Sequence, residues 1–281
     1  MARVRLGVAL LVPGPAAAEI DGLRRALGDG ALGRMPPHLT LVPPLNVNIE
    51  ALPAALAVLR SAAAAAGPIG VMLGPVATFH PDNPVVFLSV ASAVGGAGRE
   101  VHDLRDRVFR APLARALTWP FFPHVTLADD LAPDRIPAAL AALADYSAAV
   151  TFDRVHLLRE GAGRVWAPVA DVALGPPTIV GRGGLAVELW RSQRPDPDVA
   201  GLLGAPAGWS APAGAEPFTV TARREGTVLG VATGWARDGE TTLSGLVVTA
   251  AAGVEDVERH LRRVALDLAP GGVPGRGGGV Q

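Results

Sequence analysis

The hydrophobic positions between residues 3 and 79 predict five elements in the order strand, helix, strand, helix, strand. Val and Leu dominate residues 3–12, and Ile20, Leu23 and Leu27 then recur at helical spacing. Pro43 and Pro44 close the short middle strand. The predicted strands are 3–12, 37–42 and 69–79, and the predicted helices are 17–30 and 49–67.

A second stretch repeats this order between residues 83 and 158. Val101, Leu104 and Val108 lie on one face of its first helix, with charged residues on the other. The sequence IPAALAAL in its second helix resembles IEALPAAL in the first stretch. The predicted strands are 83–90, 123–128 and 150–158, and the predicted helices are 98–110 and 136–146. The repetition predicts one α+β domain over residues 1–174, with two related lobes around a pseudo-twofold axis.

The remaining residues predict a second, smaller α+β domain. Residues 175–184 are rich in Gly and Pro and are predicted to be a linker. A hairpin with its turn at Glu225-Gly226 is predicted within the domain, which spans 185–270. The other predicted elements are strands at 185–192 and 241–250 and helices at 195–204 and 253–269. The Gly-rich tail, 271–281, is predicted to be disordered.

The composition excludes several kinds of site but does not identify a binding partner. The net charge is −1, so no strong overall field attracts nucleic acid or an anionic membrane. Cysteine is absent, which excludes disulfides and thiolate metal sites. Every basic residue is arginine, a bias typical of a GC-rich genome, so arginine clusters alone do not indicate nucleic-acid binding. No stretch approaches the ~20 apolar residues of a membrane span, and the short run at 7–12 suits a strand better than a signal peptide, so a cytoplasmic protein is expected.

One short motif occurs in both lobes. Residues 36–44 read PPHLTLVPP, and residues 122–130 read FPHVTLADD. Side chains alternate along a strand, so each histidine shares a face with the hydroxyl residue two positions later. If a twofold axis relates the lobes, the two pairs converge on one cleft. The residues concerned are His38, Thr40, His124 and Thr126.

Two imidazoles and two hydroxyls in one cleft suit phosphodiester chemistry. Imidazole titrates near ~6.5, so a close pair can hold one neutral base and one protonated acid around neutral pH. Threonine hydroxyls can donate to phosphate oxygens. A strained 2′,3′-cyclic phosphate opens without a metal, and none is expected here. A single His-x-Thr is weak evidence for a catalytic site, because this pattern often arises by chance. Two copies inside the same Pro-His-aliphatic-Thr-Leu sequence, one in each lobe, are far less expected by chance and favour catalysis. The remaining alternative is a structural duplication that kept the histidines for packing.

These motifs resemble the paired H-x-[ST]-x motifs of the 2H phosphoesterases, in the 2′-5′ RNA ligase-like or LigT-like branch. The resemblance covers roughly 1–174 and implies that both histidines are catalytic, that Thr40 and Thr126 hold the phosphate, and that no metal or cofactor is used. It implies a cyclic phosphodiesterase acting on RNA ends or small cyclic nucleotides, in some members with 2′-5′ ligation, and neither DNA nor a membrane as partner. By analogy, His38 protonates the leaving O3′ and His124 activates water, although the sequence cannot fix which histidine has which role. The alternative is a non-catalytic RNA- or nucleotide-binding protein that kept the cleft.

Other residues are weaker candidates. Arg159 and Trp166 flank a predicted turn at 161–163, and family members often place a substrate-contacting residue near here, so both are candidate substrate contacts. Trp166 is a weak candidate for base stacking, and a packing role is the favoured alternative. Phe121 and Phe122, just before the second motif, are expected to be core residues. His80 could line the cleft, but an ordinary loop residue is the favoured interpretation.

The second domain weakly resembles the central part of a GNAT acetyltransferase, because a hairpin, a strand and a helix follow in that order. The usual glycine-rich turn that binds the CoA pyrophosphate is not intact, since the chain reads TAAAGVED at 249–256. Acidic residues begin the helix where phosphates would bind. A degenerate GNAT-like module without acetyl-transfer activity is expected, and an unrelated small α+β module is the alternative.

Overall fold

A computed structural model of the chain describes residues 2–92, 99–181, 186–203, 211–252 and 256–267. The chain divides near residue 176 into two compact units. The helices are α1 Gly14–Leu27, α2 Leu52–Ala64, α3 Arg99–Val108, α4 Ile136–Ala142, α5 Pro197–Ala200 and α6 Asp256–Leu266. The strands are β1 Arg3–Leu11, β2 His38–Asn48, β3 Ile69–Thr78, β4 Val86–Ser92, β5 His124–Ala128, β6 Ala148–Phe152, β7 Arg154–Glu160, β8 Trp166–Ala173, β9 Thr178–Val180, β10 Val187–Ser192, β11 Glu216–Arg224, β12 Thr227–Arg237 and β13 Glu240–Val248.

The first unit contains one sheet of eight strands, in the order β6-β3-β4-β5-β2-β1-β7-β8. The two motif strands, β2 and β5, are neighbours in the middle, where Leu39 pairs with Val125. Outward from this pair, β1 corresponds to β4 and β7 corresponds to β3. The duplicated α+β architecture predicted from the repeated order of elements is confirmed. The last strand of the first repeat, β3, pairs with β4 of the second repeat, and β7 of the second repeat pairs with β1 of the first, so the two halves exchange strands.

Residues 150–158, predicted as a single strand, form parts of two strands. β6 pairs with β3, and β7 pairs with β1 at the other side of the sheet order. Only Asp153 lies between them, so the sheet must curl until these strands come close together. Apolar residues alternate on both sides of the break, at Val150 and Phe152 and again at Val155 and Leu157, with only Asp153 and Arg154 between, so the sequence predicted one strand.

The strand of the first motif is longer than predicted. Its expected end at Pro43 and Pro44 is wrong, because β2 continues to Asn48. The two prolines lie where the register between β1 and β2 shifts, between the pairs Leu6–Leu45 and Val8–Val42. Proline has no N–H to donate, and an irregular position in the ladder tolerates it.

Burial alternates through both motifs as strand geometry requires. Leu39 and Leu41 are buried on β2, and Val125 and Leu127 are buried on β5. The histidines and threonines between them are half-buried. The core therefore holds the backbone of each motif while its polar side chains face the other side of the sheet.

The second unit contains an antiparallel sheet in the order β13-β12-β11-β10-β9, and the buried residues of α6 belong to its core. The predicted turn at Glu225 and Gly226 is confirmed, and both residues have positive φ, as a tight hairpin turn requires. The linker predicted at 175–184 differs in part, because Thr178–Val180 pairs with β10. Residues 182–184, the tail at 271–281 and Gly253 lie outside the described residues. Within the described ranges, no helix is long and apolar enough to cross a membrane.

Candidate active site

The two motifs face each other across the middle of the first sheet. Leu39 lies opposite Val125 in antiparallel register. One residue further in each direction, His38 lies opposite Thr126, and Thr40 lies opposite His124. Directly opposite side chains share a face, with Cβ atoms roughly 4.5–5.5 Å apart. The four polar side chains therefore form a quadrilateral in which each histidine has the other motif's threonine as its neighbour.

Two adjoining cavities lie over this quadrilateral. The large chamber, of about 910 Å³, is lined by His38, His124 and Thr126 among others. The small chamber, of about 320 Å³, is lined by His38, Thr40 and Trp166 among others. His38 lines both chambers. The structure thus brings both motifs into one cleft with two parts, as the sequence predicted.

Both imidazoles are fixed by the same local contact. Nδ1 of His38 lies 2.8 Å from the carbonyl oxygen of Pro36, and Nδ1 of His124 lies 2.7 Å from that of Phe122. A carbonyl oxygen only accepts, so each Nδ1 carries the hydrogen and donates it. In the neutral ring, Nε2 then has the lone pair. Each histidine is held in the tautomer that presents a proton acceptor at Nε2.

The electrostatics of the pair differ from the sequence expectation. The pKa of His38 is lowered to about 4, mainly by burial; the hydrogen bond to Pro36 opposes this, and the charge of Arg24 and the proximity of His124 add smaller lowering effects. Burial also lowers the pKa of His124 against the opposing bond to Phe122. Both rings are therefore neutral at pH 7 in the unliganded protein. An imidazole that acted as an acid in this cleft would first have to gain a proton.

Aromatic side chains surround the second histidine. The ring centroids of Phe79 and Phe87 lie 5.2 Å from that of His124. Phe122 lines the large chamber and is 50% exposed, so its predicted place in the core is wrong. Trp119, 72% exposed, lines the same chamber and was not anticipated from the sequence. The aromatic run TWPFFP directly before the second motif was the available signal.

A buried arginine stands on the side of the first histidine. Arg24 lines the large chamber with only 4% of its side chain exposed. Its Nε donates to Asp29 over 2.8 Å, and its Nη1 donates to Asp21 and to the carbonyl of Met35, each over 2.8 Å. This network connects α1 to the residues just before His38. Periodicity alone does not reveal Arg24, because a charged residue on a helix normally indicates a solvated face.

The two weaker candidates, Trp166 and Arg159, differ in whether they line the cleft. Trp166 lines the small chamber, and its backbone N–H donates to the carbonyl of Arg34 over 2.7 Å. Arg159 is exposed and lines neither chamber. It lies opposite Leu6 on the face of β7 that points away from the chamber, whereas Leu158 lines the chamber. The cations that line the small chamber are Arg34 and Arg164, the latter in the turn after β7.

No group of three or more His, Asp or Glu side chains able to hold a metal ion occurs in the part of the chain that the structure describes. His80, expected to be an ordinary loop residue, lines the large chamber.

Comparisons with known proteins agree with the motif reading. A family model described as the 2′-5′ RNA ligase superfamily matches residues 12–164, which include both motifs and Arg24. A Bacillus pumilus protein named "Putative phosphoesterase" is 28% identical over 170 residues, covering 59% of this chain and 95% of its own length. A Bacillus cytotoxicus protein of the same kind is 27% identical over 165 residues, covering 58% of this chain and 92% of its own length. Crystallised E. coli LigT, complexed with 3′-AMP, is 20% identical and covers 62% of this chain and 99% of its own, with a TM-score of 0.43.

Proposed function

This chain belongs to the 2′-5′ RNA ligase superfamily of phosphoesterases, and we propose that it hydrolyses the 2′,3′-cyclic phosphates of RNA ends or nucleotides without a metal. The observation that carries the proposal is the matched pair of anchored imidazoles in one cleft. His38 and His124 each present Nε2, and each lies across from a threonine. This arrangement supplies a base, an acid and two hydroxyl donors around a single phosphate.

The reaction needs one proton to move at each end of the phosphate. The neutral imidazole of one histidine accepts a proton from water through Nε2 while the water oxygen attacks phosphorus. The second imidazole, protonated, donates its Nε2 proton to the leaving ribose oxygen as the P–O bond breaks. By the resemblance, the leaving atom is O3′ and the product is a 2′-phosphate. The proton count balances, and the two rings exchange states at each turnover.

The threonines are placed to hold the non-bridging oxygens. Thr40 and Thr126 lie on the cleft face beside the opposite motif's histidine. Their hydroxyls can donate to the phosphate oxygens while both Nε2 atoms point to the reacting oxygens. Donors fixed by a rigid sheet need little rearrangement as negative charge develops.

Removing one hydroxyl should slow the reaction without unfolding the protein. We expect Thr126→Val and Thr40→Val each to lower kcat/KM about 10- to 100-fold, since a hydrogen bond to a charged group contributes about 1.5–3 kcal/mol. Valine keeps the branched shape, so the thermal unfolding midpoint should change little. Thr151→Val, at an exposed position on β6, is the matched control. Wild-type kcat/KM in both cleft variants would contradict the phosphate-holding role.

The pH dependence should reflect the lowered pKa values. Since both histidines have pKa values below 6.5, the singly protonated pair is most populated below that pH. We expect a bell-shaped kcat/KM profile whose maximum lies below pH 6.5, with kcat/KM rising as pH falls from 8 towards it. The profile for kcat should lie at higher pH, because the bound phosphate anion raises both pKa values. A kcat/KM maximum above pH 7 would contradict this electrostatic assignment.

Ligation and non-catalytic binding are the alternatives. In 2′-5′ joining, an RNA 5′-hydroxyl takes the place of water, so the same two histidines serve both directions. A binding protein would hold cyclic phosphates without turning them over. The test is a panel of 2′,3′-cyclic mononucleotides, RNA ends and cyclic ADP-ribose phosphate, assayed in EDTA with product identification. Binding without turnover on every substrate would favour the non-catalytic alternative.

A further inference from the structure

A groove continues from the small chamber along the first motif strand. It has a volume of about 530 Å³ and is lined by Arg5, Asn46 and Arg115 among others. Pro44 lines both this groove and the small chamber, so the two adjoin. The extension of β2 past its prolines makes this possible, because it carries the cleft face onward to Asn46. We call this region the arginine groove.

Arg5 forms the border between chamber and groove. Arg5 lies on β1, opposite Asn46 of β2, and its guanidinium carbon lies 6.0 Å from the ring centroid of Trp166. Its Nη1 pairs with Glu160 over 3.1 Å, and Glu160 also lies 3.7 Å from Nε of Arg164. One carboxylate thus holds two guanidinium groups in place, and the trio retains one net positive charge. Such a pairing positions the cations without cancelling their attraction for an anion.

Arg115 supplies the second cation. Its Nη1 donates to the backbone carbonyl of Pro44 over 2.7 Å, and its Nε donates to that of Ala116 over 3.1 Å. A guanidinium has five N–H donors, so these two bonds fix the group while others remain for a ligand. Of the described residues, those that line the groove include no carboxylate. The groove therefore has a local positive charge that the overall charge of −1 does not reveal.

The chamber and the groove together have the features of a site for single-stranded nucleic acid. Such sites combine an aromatic ring on which a base stacks with cations that follow the backbone phosphates. The small chamber, of about 320 Å³, is near the lower end of the ~300–1,000 Å³ typical of small-molecule pockets. It offers Trp166 as the aromatic wall beside His38 and Thr40. The next phosphate along the strand would lie over Pro44.

We propose that the arginine groove is a second phosphate site, in which Arg5 and Arg115 make the protein prefer an oligonucleotide end to a free mononucleotide. The terminal nucleoside lies in the small chamber against Trp166, and its 5′-phosphate lies in the arginine groove between Arg5 and Arg115. This inference rests on the proposed function, because it assumes that the terminal cyclic phosphate lies between His38 and His124. It adds a second phosphate site and a strand direction, from the histidines along β2 towards Asn46.

The kinetic test compares two substrates that share the reacting group. These are adenosine 2′,3′-cyclic phosphate and the trinucleotide ApApA ending in a 2′,3′-cyclic phosphate, both in EDTA. We expect wild-type kcat/KM to be higher for the trinucleotide. Arg115→Gln and Arg5→Gln should each lower kcat/KM about 5- to 10-fold for the trinucleotide and less than about twofold for the mononucleotide. Each variant should also reduce the slope of log(kcat/KM) against log[salt] by about 0.7 for each lost phosphate contact. Arg25→Gln, at an exposed position on α1 outside all three cavities, is the matched control.

A binding measurement separates failure of this inference from failure of the proposed function. The probe is a 5′-labelled ApApA ending in a 2′-phosphate, with adenosine 2′-monophosphate as the short comparison, measured by fluorescence anisotropy. If neither cyclic phosphate is hydrolysed, the proposed function fails, and a 5- to 10-fold weaker probe affinity in Arg115→Gln would still support the groove. Equal affinity of wild type and Arg115→Gln, or equal kcat/KM of wild type for both substrates, would overturn the inference.

Discussion

Replacing either cleft histidine by alanine is expected to remove nearly all phosphodiesterase activity. Positioned acid or base catalysis typically contributes ~10²–10⁴-fold, so we expect kcat for His38→Ala and His124→Ala to fall by about that factor. Both rings are half-buried and are held mainly by one bond to a backbone carbonyl. Circular dichroism and the thermal unfolding midpoint should therefore remain near those of the wild type.

The control and the assignment of roles use the same assay. His80→Ala removes a histidine that lines the large chamber but lies outside both motifs, and it should keep most of the activity. A substrate with a p-nitrophenolate leaving group needs little acid assistance, so the variant that lacks the acid should recover on it and the variant that lacks the base should not. Either alanine variant retaining more than half of wild-type kcat would contradict the two-histidine mechanism.

Removing the buried guanidinium of Arg24 is expected to produce the largest loss of stability. Arg24→Met leaves the carboxylate of Asp29, whose side chain is 1% exposed, buried without its cation. Breaking a buried pair by removing one partner typically costs about 3–5 kcal/mol of unfolding free energy. The carbonyl of Met35 also loses a donor, and it lies three residues before His38. Urea unfolding measures the change, and Arg25→Met, at the exposed neighbouring position, should change the free energy little.

A double variant identifies the cause of the loss. Arg24→Met with Asp29→Asn removes the uncompensated charge and keeps an oxygen that can accept from the N–H of Ala31. We expect it to recover part of the lost unfolding free energy. If the double variant is as unstable as the single one, packing rather than the buried charge accounts for the loss. Where the single variant folds, the pKa of His38 should rise, because the charge of Arg24 lowers it in the wild type.

The two cleft histidines make the same backbone hydrogen bond but have different neighbours. Both imidazoles bond to a carbonyl two residues earlier, as expected of a duplicated strand. Around His124 the neighbours are aromatic rings, whereas around His38 they include Arg24 and the small chamber. Gly7 and Ala9 line that chamber, and because Gly7 has no side chain and Ala9 only a methyl group, they leave the space that Trp166 borders. The proposed phosphate site therefore has symmetric histidines but asymmetric walls, which would bind the two sides of a substrate differently.

Elements that depend on local periodicity can be predicted from the amino-acid sequence alone. The repeated order of strands and helices, the two motif strands, and the common face of His38 and Thr40 all follow from alternation or helical spacing. These are properties of neighbouring residues, so one chain is enough to read them. The matched frames of the two motifs also distinguished them from a chance His-x-Thr.

Features that depend on residues distant in sequence become visible only in the folded molecule. Pairing across the sheet decided that His38 lies opposite Thr126, that β6 and β7 are separate strands, and that β2 continues past Pro43 and Pro44. Burial decided the lowered pKa values, because desolvation depends on everything packed around an imidazole. The same holds for Arg24, whose partners come from several segments, and for the arginine groove. Periodicity records which way a side chain points, whereas its partner and its exposure to water are set by the chain that returns to pack against it.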